Sequence, residues 1–210
     1  KGFSQIAGYI NEKEKLSKNF LDLIDDEKAG KSLKKLIPNA ILFYGPTGCG
    51  KTTFVKALAD EADCNLKIIH CRGPQKEKEQ QLYNTLVGYT DTDEYGNDIE
   101  VSGLLEKAQK NFEKTDRRTI ILIDEFDRFF GKDVSSKFIN TMKGILENCS
   151  EDYHVTFFLT SNKPQKIPYE LRNSHRIAPT YSIDPPNQEN TVAVIEHYLQ
   201  GCDTENLDYN

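Results

Sequence analysis

The 210-residue chain has no tryptophan, one methionine and five scattered cysteines, none of them in a C-x-x-C pair. Its four histidines show no metal-ligand spacing with the cysteines. These absences disfavour a disulfide framework or a zinc site, so reduced thiols in a cytoplasmic protein are the simplest expectation. No apolar run is long enough to cross a bilayer, and no signal-peptide pattern opens the chain. Since it begins at Lys1 without a methionine, we expect a piece of a longer protein.

An excess of positive charge is also missing. The chain carries 33 acidic and 27 basic residues, which gives a formal net charge of -6. This balance disfavours a protein whose main task is to coat a nucleic-acid backbone. Hydrophobic residues make up 37% of the chain, which is low but sufficient for the core of a large α/β domain.

The organising motif is G-x-x-x-x-G-K-T at residues 45–52. It follows a short apolar run at 40–44, typical of a buried strand, and precedes a helix-like run at 53–62. In such a loop, backbone N–H groups point at an anion, Lys51 neutralises phosphate charge and Thr52 offers a hydroxyl to Mg²⁺. The pattern therefore predicts a nucleoside triphosphate site rather than a chance glycine turn. The predicted nucleotide contacts in the loop are Pro46, Thr47, Gly48, Cys49, Gly50, Lys51, Thr52 and Thr53.

A second polar cluster follows two later apolar runs. Residues 119–123 read as a buried strand that ends in Asp124 and Glu125, and Asn162 follows a strand-like run at 155–160. We expect Asp124 to hold Mg²⁺ and Glu125 to take a proton from the attacking water, although the pair could merely cap a turn. Asn162 could reach the water or the γ-phosphate, although polar residues after a strand are also ordinary turn chemistry. Asp127 and Arg128 are expected to be solvated or structural.

Strand-like and helix-like runs alternate along the chain, which predicts a parallel sheet with helices on both faces. Further strands are expected at 66–71 and 178–183, and helices at 76–87 and 135–148. Asn11 and Ser102 are the expected N-caps of two more helices, the second over 102–114.

Taken together, these motifs resemble those of the AAA+ ATPases, most closely the AAA-type module. Residues 45–52 resemble Walker A, residues 120–125 Walker B, and Asn162 the sensor 1 position. Residues 3–8 resemble the family's opening segment, in which Ala7 and Gly8 would meet the adenine edge. The resemblance implies the α/β fold of P-loop NTPases, with ATP and Mg²⁺ as cofactors.

The resemblance extends to residues 167–176, which are similar to the segment that carries arginine fingers. Arg176 falls on the outer finger position, while the inner position is Asn173 and Arg172 is a possible substitute. An ordinary surface arginine remains the alternative for Arg176. A finger completes a neighbour's site, so the family implies a homo-oligomeric ring, usually of six.

The end of the chain resembles the start of the family's helical lid, in which Val194 and Tyr198 would face the adenine. We therefore expect a large α/β nucleotide-binding subdomain at 1–184 and a truncated lid at 185–210.

The segment between the second strand and Walker B is the least defined. The Gly88-Tyr89 pair resembles the start of pore loops that grip polypeptide, whereas a second register places Leu86 at the gripping position. The acidic insert at 91–98 begins like a Ca²⁺ loop but lacks the required ligands, so the turn of a small hairpin is the better interpretation. An acidic loop at this place would repel nucleic acid and favour a protein substrate.

The leading hypothesis is an ATP-hydrolysing AAA+ motor that remodels or unfolds a protein partner. One alternative is a nucleic-acid-associated loader or helicase-type ATPase, for which neither a basic pore nor a DNA-binding domain is visible. The other is a non-hydrolysing, ATP-dependent assembly switch or scaffold, which an intact Lys51 and Glu125 disfavour.

Overall fold

A parallel five-stranded sheet forms the centre of the protein, and its strands lie side by side in the order β2 (Asn65–Ile69), β5 (Thr119–Ile123), β6 (Val155–Ser161), β1 (Ala40–Tyr44) and β7 (Ile177–Ser182). The computed structural model describes residues 2–31, 34–70, 72–172, 176–185, 191–192, 194–195 and 199. All four strand pairings in this sheet are parallel.

Helices cover both faces of the sheet, which confirms the predicted fold class. Successive strand residues point to opposite faces, so the apolar runs divide between two cores. Ile121 and Phe157 belong to one core, and Ile120 and Phe158 to the other. Because both faces are buried, every residue of β5 and β6 is inaccessible and the strands lack the polar alternation of a one-sided sheet.

The first core is covered by α4 (Gln75–Val87), α5 (Leu104–Thr115) and α6 (Ser136–Asp152). The second is covered by α3 (Lys51–Glu61) and by an N-terminal helix, α1 (Ile10–Leu16) and α2 (Asp22–Lys28), joined through a π-helical turn at Ser17–Leu21. Short 3₁₀ turns lie at Gly2–Gln5, Lys34–Leu36, Phe126–Phe129 and Pro164–Lys166.

Two of the predicted N-caps are wrong. The first helix begins at Ile10, one residue before Asn11, and its cap is Tyr9 in a left-handed conformation. Ser102 lies in a strand, and α5 is capped by Gly103 without a side-chain hydrogen bond. The start predicted for α6 is supported, because Ser135 Oγ accepts a hydrogen bond from Phe138 N at its N-cap.

The acidic insert forms an antiparallel hairpin, as its turn residues predict. Strands β3 (Gly88–Thr92) and β4 (Asp98–Ser102) pair with each other in a sheet of their own. In the turn, the Asp93 carboxylate accepts hydrogen bonds from Tyr95 N and Asn97 N. The insert therefore uses its first acidic turn residue to order the backbone.

Two other expectations concern the thiols and the membrane. Cys49, Cys64 and Cys149 are free, and burial raises the pKa of Cys64 to about 11 and of Cys149 to about 12. Within the described part of the chain, no helix combines the length and apolar character needed to cross a bilayer.

Candidate nucleotide site

The glycine loop lies at the carboxyl end of β1, where it enters α3. Gly50 adopts a left-handed conformation with φ of 79° and forms the N-cap of α3. At Gly45 a Cβ atom would lie 2.2 Å from the carbonyl oxygen of Ile183, so the loop can pass this close to the end of β7 only with glycine. The N–H groups of the first turn of α3, which lack helical partners, thus face the loop and suit an anion.

Lys51 is buried, with 8% of its surface exposed, and its ammonium group spans the loop. Nζ donates to the carbonyl oxygens of Gly45 at 2.9 Å and Pro46 at 2.6 Å, and to Asn162 Oδ1 at 2.9 Å. The structure therefore brings the loop lysine and Asn162 together, although 111 residues separate them. Because these three acceptors hold the buried charge, a bound phosphate would meet an ammonium group that is already in place.

Asp124 lies beside the loop at the end of β5, the strand separated from β1 by β6. Its Oδ1 accepts hydrogen bonds from Thr52 Oγ1 at 3.1 Å and from Thr160 Oγ1 at 2.5 Å. His70 Nδ1 lies 3.9 Å from the other carboxylate oxygen. The hydroxyl of Thr52 and the carboxylate of Asp124 are hard oxygen donors at one point, which is the donor set that suits Mg²⁺.

Glu125 is held differently from its neighbour. Its backbone is left-handed, with φ of 53°, and its N–H donates to Thr160 Oγ1 at 2.9 Å. Its carboxylate forms an ion pair of 2.7 Å with Arg128, whose side chain is 66% exposed. The turn therefore directs the two adjacent acids to different partners, Asp124 to the loop and Glu125 to the surface.

Sequence reasoning missed the role of Thr160, which is 1% exposed and joins both acids through one hydroxyl. Thr160 and Asn162 are two residues apart at the end of one strand, so they share a face, and that spacing was the available signal. Asp127 is 5% exposed and accepts a hydrogen bond from Asn162 N at 3.2 Å, so a solvated Asp127 is wrong and a structural one is supported. Arg128 is exposed as expected.

A cavity of about 310 Å³ lies beside the loop and is large enough for a purine base. Predicted contacts from three parts of the chain line it, among them Ala7, Cys49 and Val194. Tyr9 also lines it, packs edge-on against Phe54 with ring centroids 5.6 Å apart, and donates from its hydroxyl to the Asp184 carbonyl at 3.0 Å. The full lining is Gln5, Ile6, Ala7, Tyr9, Gly48, Cys49, Gly50, Thr53, Phe54 and Val194.

Gly8 and Tyr198 are the remaining predicted contacts to the base. Gly8 has a φ of 68° and lies next to Tyr9, but it does not line the cavity itself. Tyr198 lies outside the described residues.

Arg176 lies at the opposite end of the sheet, directly before β7. Since β7 runs parallel to β1, roughly 17 Å of strand separate Arg176 from the phosphate loop of its own chain. Its guanidinium forms an ion pair of 3.0 Å with Glu147 and donates to the carbonyl oxygens of Lys143 and Glu170. Arg172 is exposed and donates from Nε to the Ile167 carbonyl at 2.9 Å, and Asn173 lies outside the described residues.

Comparison with known families agrees with this geometry. The model of the ATPase family associated with various cellular activities (AAA) matches residues 41–185. The chain belongs to this AAA family. The match includes the phosphate loop, the two acids that follow β5, Asn162 and Arg176, whereas Ala7 and Val194 lie outside it. As a member, the chain carries an AAA ATPase domain.

Similar proteins have diverse names. Cell division protein C of Sulfolobus acidocaldarius is 26% identical over 93% of this chain and 54% of its own length. ATP-dependent zinc metalloprotease FtsH 3 of Symbiobacterium thermophilum is 24% identical over 95% of this chain and 30% of its own length. Ribosome biogenesis ATPase RIX7 of Saccharomyces cerevisiae is 25% identical over 76% of this chain and 17% of its own length. The chain thus spans about half of the length of the first of these relatives and less of the other two.

The two candidates for a gripping residue differ sharply in accessibility. Leu86 is fully buried in the core beneath α4, so the register that places Leu86 at the gripping position would assign it an inaccessible side chain. Tyr89 lies in β3 of the hairpin and is 45% exposed. Tyr89 therefore stays as the predicted pore residue of this AAA chain.

Proposed function

We propose that this chain is the ATP-hydrolysing module of an oligomeric AAA motor that remodels or unfolds a protein partner. One observation carries the proposal: at the carboxyl edge of the sheet, the Lys51–Asn162 pair and the hydrogen bonds of Thr160 to the two acids after β5 are linked by Thr52, which follows Lys51 and donates to Asp124. Parallel α/β sheets bind ligands at this edge. A network that fixes a cation, a metal-binding acid and a second acid around one loop suits phosphoryl transfer.

In the proposed binding mode, the loop amides and Lys51 hold the phosphates and the cavity beside Tyr9 holds the adenine. Ala7 and Val194, which line the cavity, supply contacts to the base, and Gly8 and Tyr198 stay predicted contacts. Thr52 and Asp124 would hold Mg²⁺, which supplies neutralisation of the phosphate charge when bound. We further propose that residues 1–184 form the nucleotide-binding subdomain and that the lid begins at residue 185.

In the proposed reaction, the Glu125 carboxylate accepts a proton from the water that attacks the γ-phosphate. Thr160 positions both acids, because its hydroxyl donates to Asp124 and accepts from Glu125 N. Asn162 orients the γ-phosphate or the water while it holds Lys51. For Glu125 to act, its carboxylate must leave Arg128, an exchange that an exposed ion pair permits at little energetic cost.

Arg176 is proposed to act on the site of a neighbouring subunit. Its distance from its own phosphate loop excludes a role there, and its position before β7 places it at the opposite edge of the sheet. It must exchange Glu147 for the neighbour's phosphate to do so. This arrangement requires an oligomer, and a ring of six is the form that the family suggests.

The test is steady-state ATP hydrolysis by the full-length protein as a function of its concentration. Specific activity should rise with concentration. Glu125→Gln should lower kcat by at least about 100-fold with nucleotide binding retained, and Arg176→Ala should lower it by about 1000-fold. Glu113 is exposed and the Arg117 side chain is 43% exposed, so Glu113→Gln and Arg117→Ala provide the matched controls.

The contrary results are equally specific. Activity that is independent of concentration and of Arg176 would exclude a shared site and leave a monomeric ATPase. Nucleotide binding without hydrolysis in the unmodified protein would favour an assembly switch.

A further inference from the structure

His70 lies beside the acid that the proposed site assigns to the metal ion. Ile69 of β2 lies opposite Ile123 of β5, so the next residues on the two strands, His70 and Asp124, are neighbours at the carboxyl edge of the sheet. The Asp124 N–H donates to the Ile69 carbonyl at 3.3 Å, which extends the parallel pairing to this point. Asp124 is therefore flanked by His70 on the β2 side, as it is by Thr160 on the β6 side.

The two oxygens of the Asp124 carboxylate have different surroundings. Oδ1 accepts hydrogen bonds from the hydroxyls of Thr52 and Thr160. Oδ2 accepts no hydrogen bond within the described part of the chain and faces His70, whose Nδ1 lies 3.9 Å away. A carboxylate oxygen has about two lone-pair sites, so the two hydroxyls occupy those of Oδ1. A cation at Asp124 therefore binds through Oδ2, next to the imidazole.

The gap between Asp124 Oδ2 and His70 Nδ1 suits a metal ion. At 3.9 Å the two atoms are too far apart for a direct hydrogen bond. Metal–oxygen and metal–nitrogen bonds of about 2.1 Å each span up to about 4.2 Å, so one ion can contact both atoms. The His70 side chain is 56% exposed and makes no hydrogen bond within the part of the chain that the structure describes. Its ring can therefore turn towards an ion without breaking another contact.

This pair of side chains is too small a donor set to hold a metal ion by itself. Among the described residues, no three histidine, cysteine, aspartate or glutamate side chains come together as a metal site. The remaining ligands must come from the Thr52 hydroxyl, from water and from the phosphates of a nucleotide in the loop. Binding of an ion beside His70 therefore requires nucleotide.

A nitrogen donor changes which ions such a site accepts. Mg²⁺ takes oxygen ligands and keeps several of its water molecules. Imidazole is a ligand of transition-metal ions, whose affinity for mixed nitrogen and oxygen sites rises from Mn²⁺ to Cu²⁺. Among these ions, Mn²⁺ also suits carboxylate and water ligands, so it fits a site built from Asp124, His70 and phosphate oxygens.

We propose that His70 is a metal ligand of the nucleotide site and makes this site accept Mn²⁺ and related divalent transition-metal ions in addition to Mg²⁺. The proposal rests on the proposed function, in which Thr52 and Asp124 hold the metal ion of a bound nucleotide, and it adds a specificity-determining residue to that site. Mn²⁺ exchanges one water molecule for the imidazole, whereas Mg²⁺ keeps the water.

The experiment uses the full-length protein with ADP and Mn²⁺ and measures electron spin echo modulation from nitrogen nuclei bound to the ion. Protein labelled with nitrogen-15 only in histidine distinguishes imidazole nitrogen from backbone and adenine nitrogen. The signal of free Mn²⁺, recorded during a titration with Mg²⁺, gives the preference of the site between the two ions. The test variant is His70→Ala, and the control is Lys67→Ala at an exposed position on the same strand.

We expect a directly bound imidazole nitrogen in the unmodified protein and in Lys67→Ala, and none in His70→Ala. The preference for Mn²⁺ over Mg²⁺ should fall by about tenfold or more in His70→Ala, because Mn²⁺ loses a ligand and Mg²⁺ does not. Without ADP, Mn²⁺ should bind all three proteins much more weakly.

Absence of the imidazole signal from the unmodified protein would overturn the proposal and leave only water between His70 and the ion. A signal that persists in His70→Ala would also overturn it. So would an equal loss of affinity for Mn²⁺ and Mg²⁺ in His70→Ala, which would reduce His70 to a support for Asp124. Failure of the proposed function reads out separately, as an absence of ATP hydrolysis with Mg²⁺ in the unmodified protein, while the nitrogen signal with ADP still decides on His70.

Discussion

The carboxyl edge of the sheet and the β3–β4 hairpin are both rich in polar residues, but they hold them in opposite ways. At the sheet edge, the Lys51 ammonium has three acceptors and one Asp124 oxygen has two donors. On the hairpin, Asp91 and Glu100 face water without an ion pair among the described residues. The first arrangement fixes charges before a ligand arrives, and the second leaves them available for a partner.

Because of this difference, substitutions in the two regions should have different effects. At the sheet edge each polar group satisfies another, so a single substitution leaves a buried partner unsatisfied. On the hairpin a single charge change alters little except an interaction with another molecule. Substitutions at the carboxyl edge of the sheet should therefore affect ATP hydrolysis. Substitutions at the base of the hairpin should affect how the hairpin is held against α4 and α5.

The largest expected effect tests whether the fixed cation is essential. Lys51→Ala removes the ammonium that holds the loop carbonyls and Asn162, and we expect the affinity for ATP and the rate of hydrolysis to fall by at least about 100-fold. Binding of a fluorescent ATP analogue and steady-state hydrolysis measure the two losses. Lys56→Ala, at an exposed position on the same helix, is the control and should leave both unchanged. If Lys51→Ala still hydrolysed ATP at the unmodified rate, hydrolysis would not depend on the Lys51 ammonium group.

Thr160→Val tests how much the positioning of Asp124 and Glu125 contributes to hydrolysis, and we expect a smaller effect than for Lys51→Ala. Valine keeps the shape of the side chain but removes the hydroxyl that joins Asp124 to Glu125 N, so we expect kcat to fall about 10- to 100-fold with a smaller change in KM. The matched control is Thr156→Val on the same strand. Both threonines are 1% exposed, but Thr156 Oγ1 donates to the Pro38 carbonyl, away from the acids. An equal loss of kcat in both variants would reduce Thr160 to a structural role.

Much of the sheet edge could be predicted from sequence because its parts are local. Continuous apolar runs mark the strands, and the carboxyl ends of parallel strands meet, which brings Lys51, Asp124 and Asn162 together. The role of Thr160 depends on register instead. Ile123 lies opposite Leu159, so the next residues on each strand, Asp124 and Thr160, become neighbours. Apolar runs alone do not fix that alignment.

The hairpin was harder to predict in detail, although its existence follows from its turn residues. Ser102 has the composition of an N-cap, but β4 continues through it and leaves Gly103 to start α5. Leu86 and Tyr89 are three residues apart, and only the orientation of α4 decides which of them is buried. Such choices are made by tertiary packing, which local sequence preferences do not encode.

Gly103→Ala tests whether the base of the hairpin is as fixed as its backbone contacts indicate. The added methyl group would lie 2.2 Å from the Leu86 carbonyl oxygen, so α4 and α5 must separate, and we expect a loss of about 1–3 kcal/mol in the free energy of unfolding. Chemical denaturation measures it. Gly144→Ala is the control, since nothing lies within 4 Å of its Cβ position on the exposed side of α6, and it should stabilise the protein by up to about 1 kcal/mol. A neutral Gly103→Ala would show a loosely held hairpin.

The smallest expected effect concerns Glu79, which ties the helix that carries the hairpin to the start of α6. Its carboxylate accepts hydrogen bonds from Ser135 Oγ at 2.6 Å and from Gln75 Nε2 at 2.8 Å. Burial alone would raise its pKa, but the hydrogen bonds from Ser135 and Gln75 outweigh burial and lower it. Since the folded pKa is the lower one, the carboxylate stabilises the fold above the unfolded pKa, and that contribution disappears as the pH falls through the folded pKa.

Glu79→Gln removes the charge that accepts these hydrogen bonds. It should therefore lower the free energy of unfolding by about 1 kcal/mol at neutral pH. The difference from the unmodified protein should shrink as the pH falls from about 5 through the ordinary glutamate pKa of about 4.3 and below. Denaturation curves at several pH values measure it, with the exposed Glu77→Gln on the same helix as the control. A cost that stays constant with pH would mean that Glu79 acts through its shape rather than its charge. In that case the contact between α4 and α6 would not depend on a charged group, unlike the contacts of Lys51 and Asp124 at the sheet edge. The difference between the sheet edge and the hairpin would then also apply to α4, the helix that precedes the hairpin.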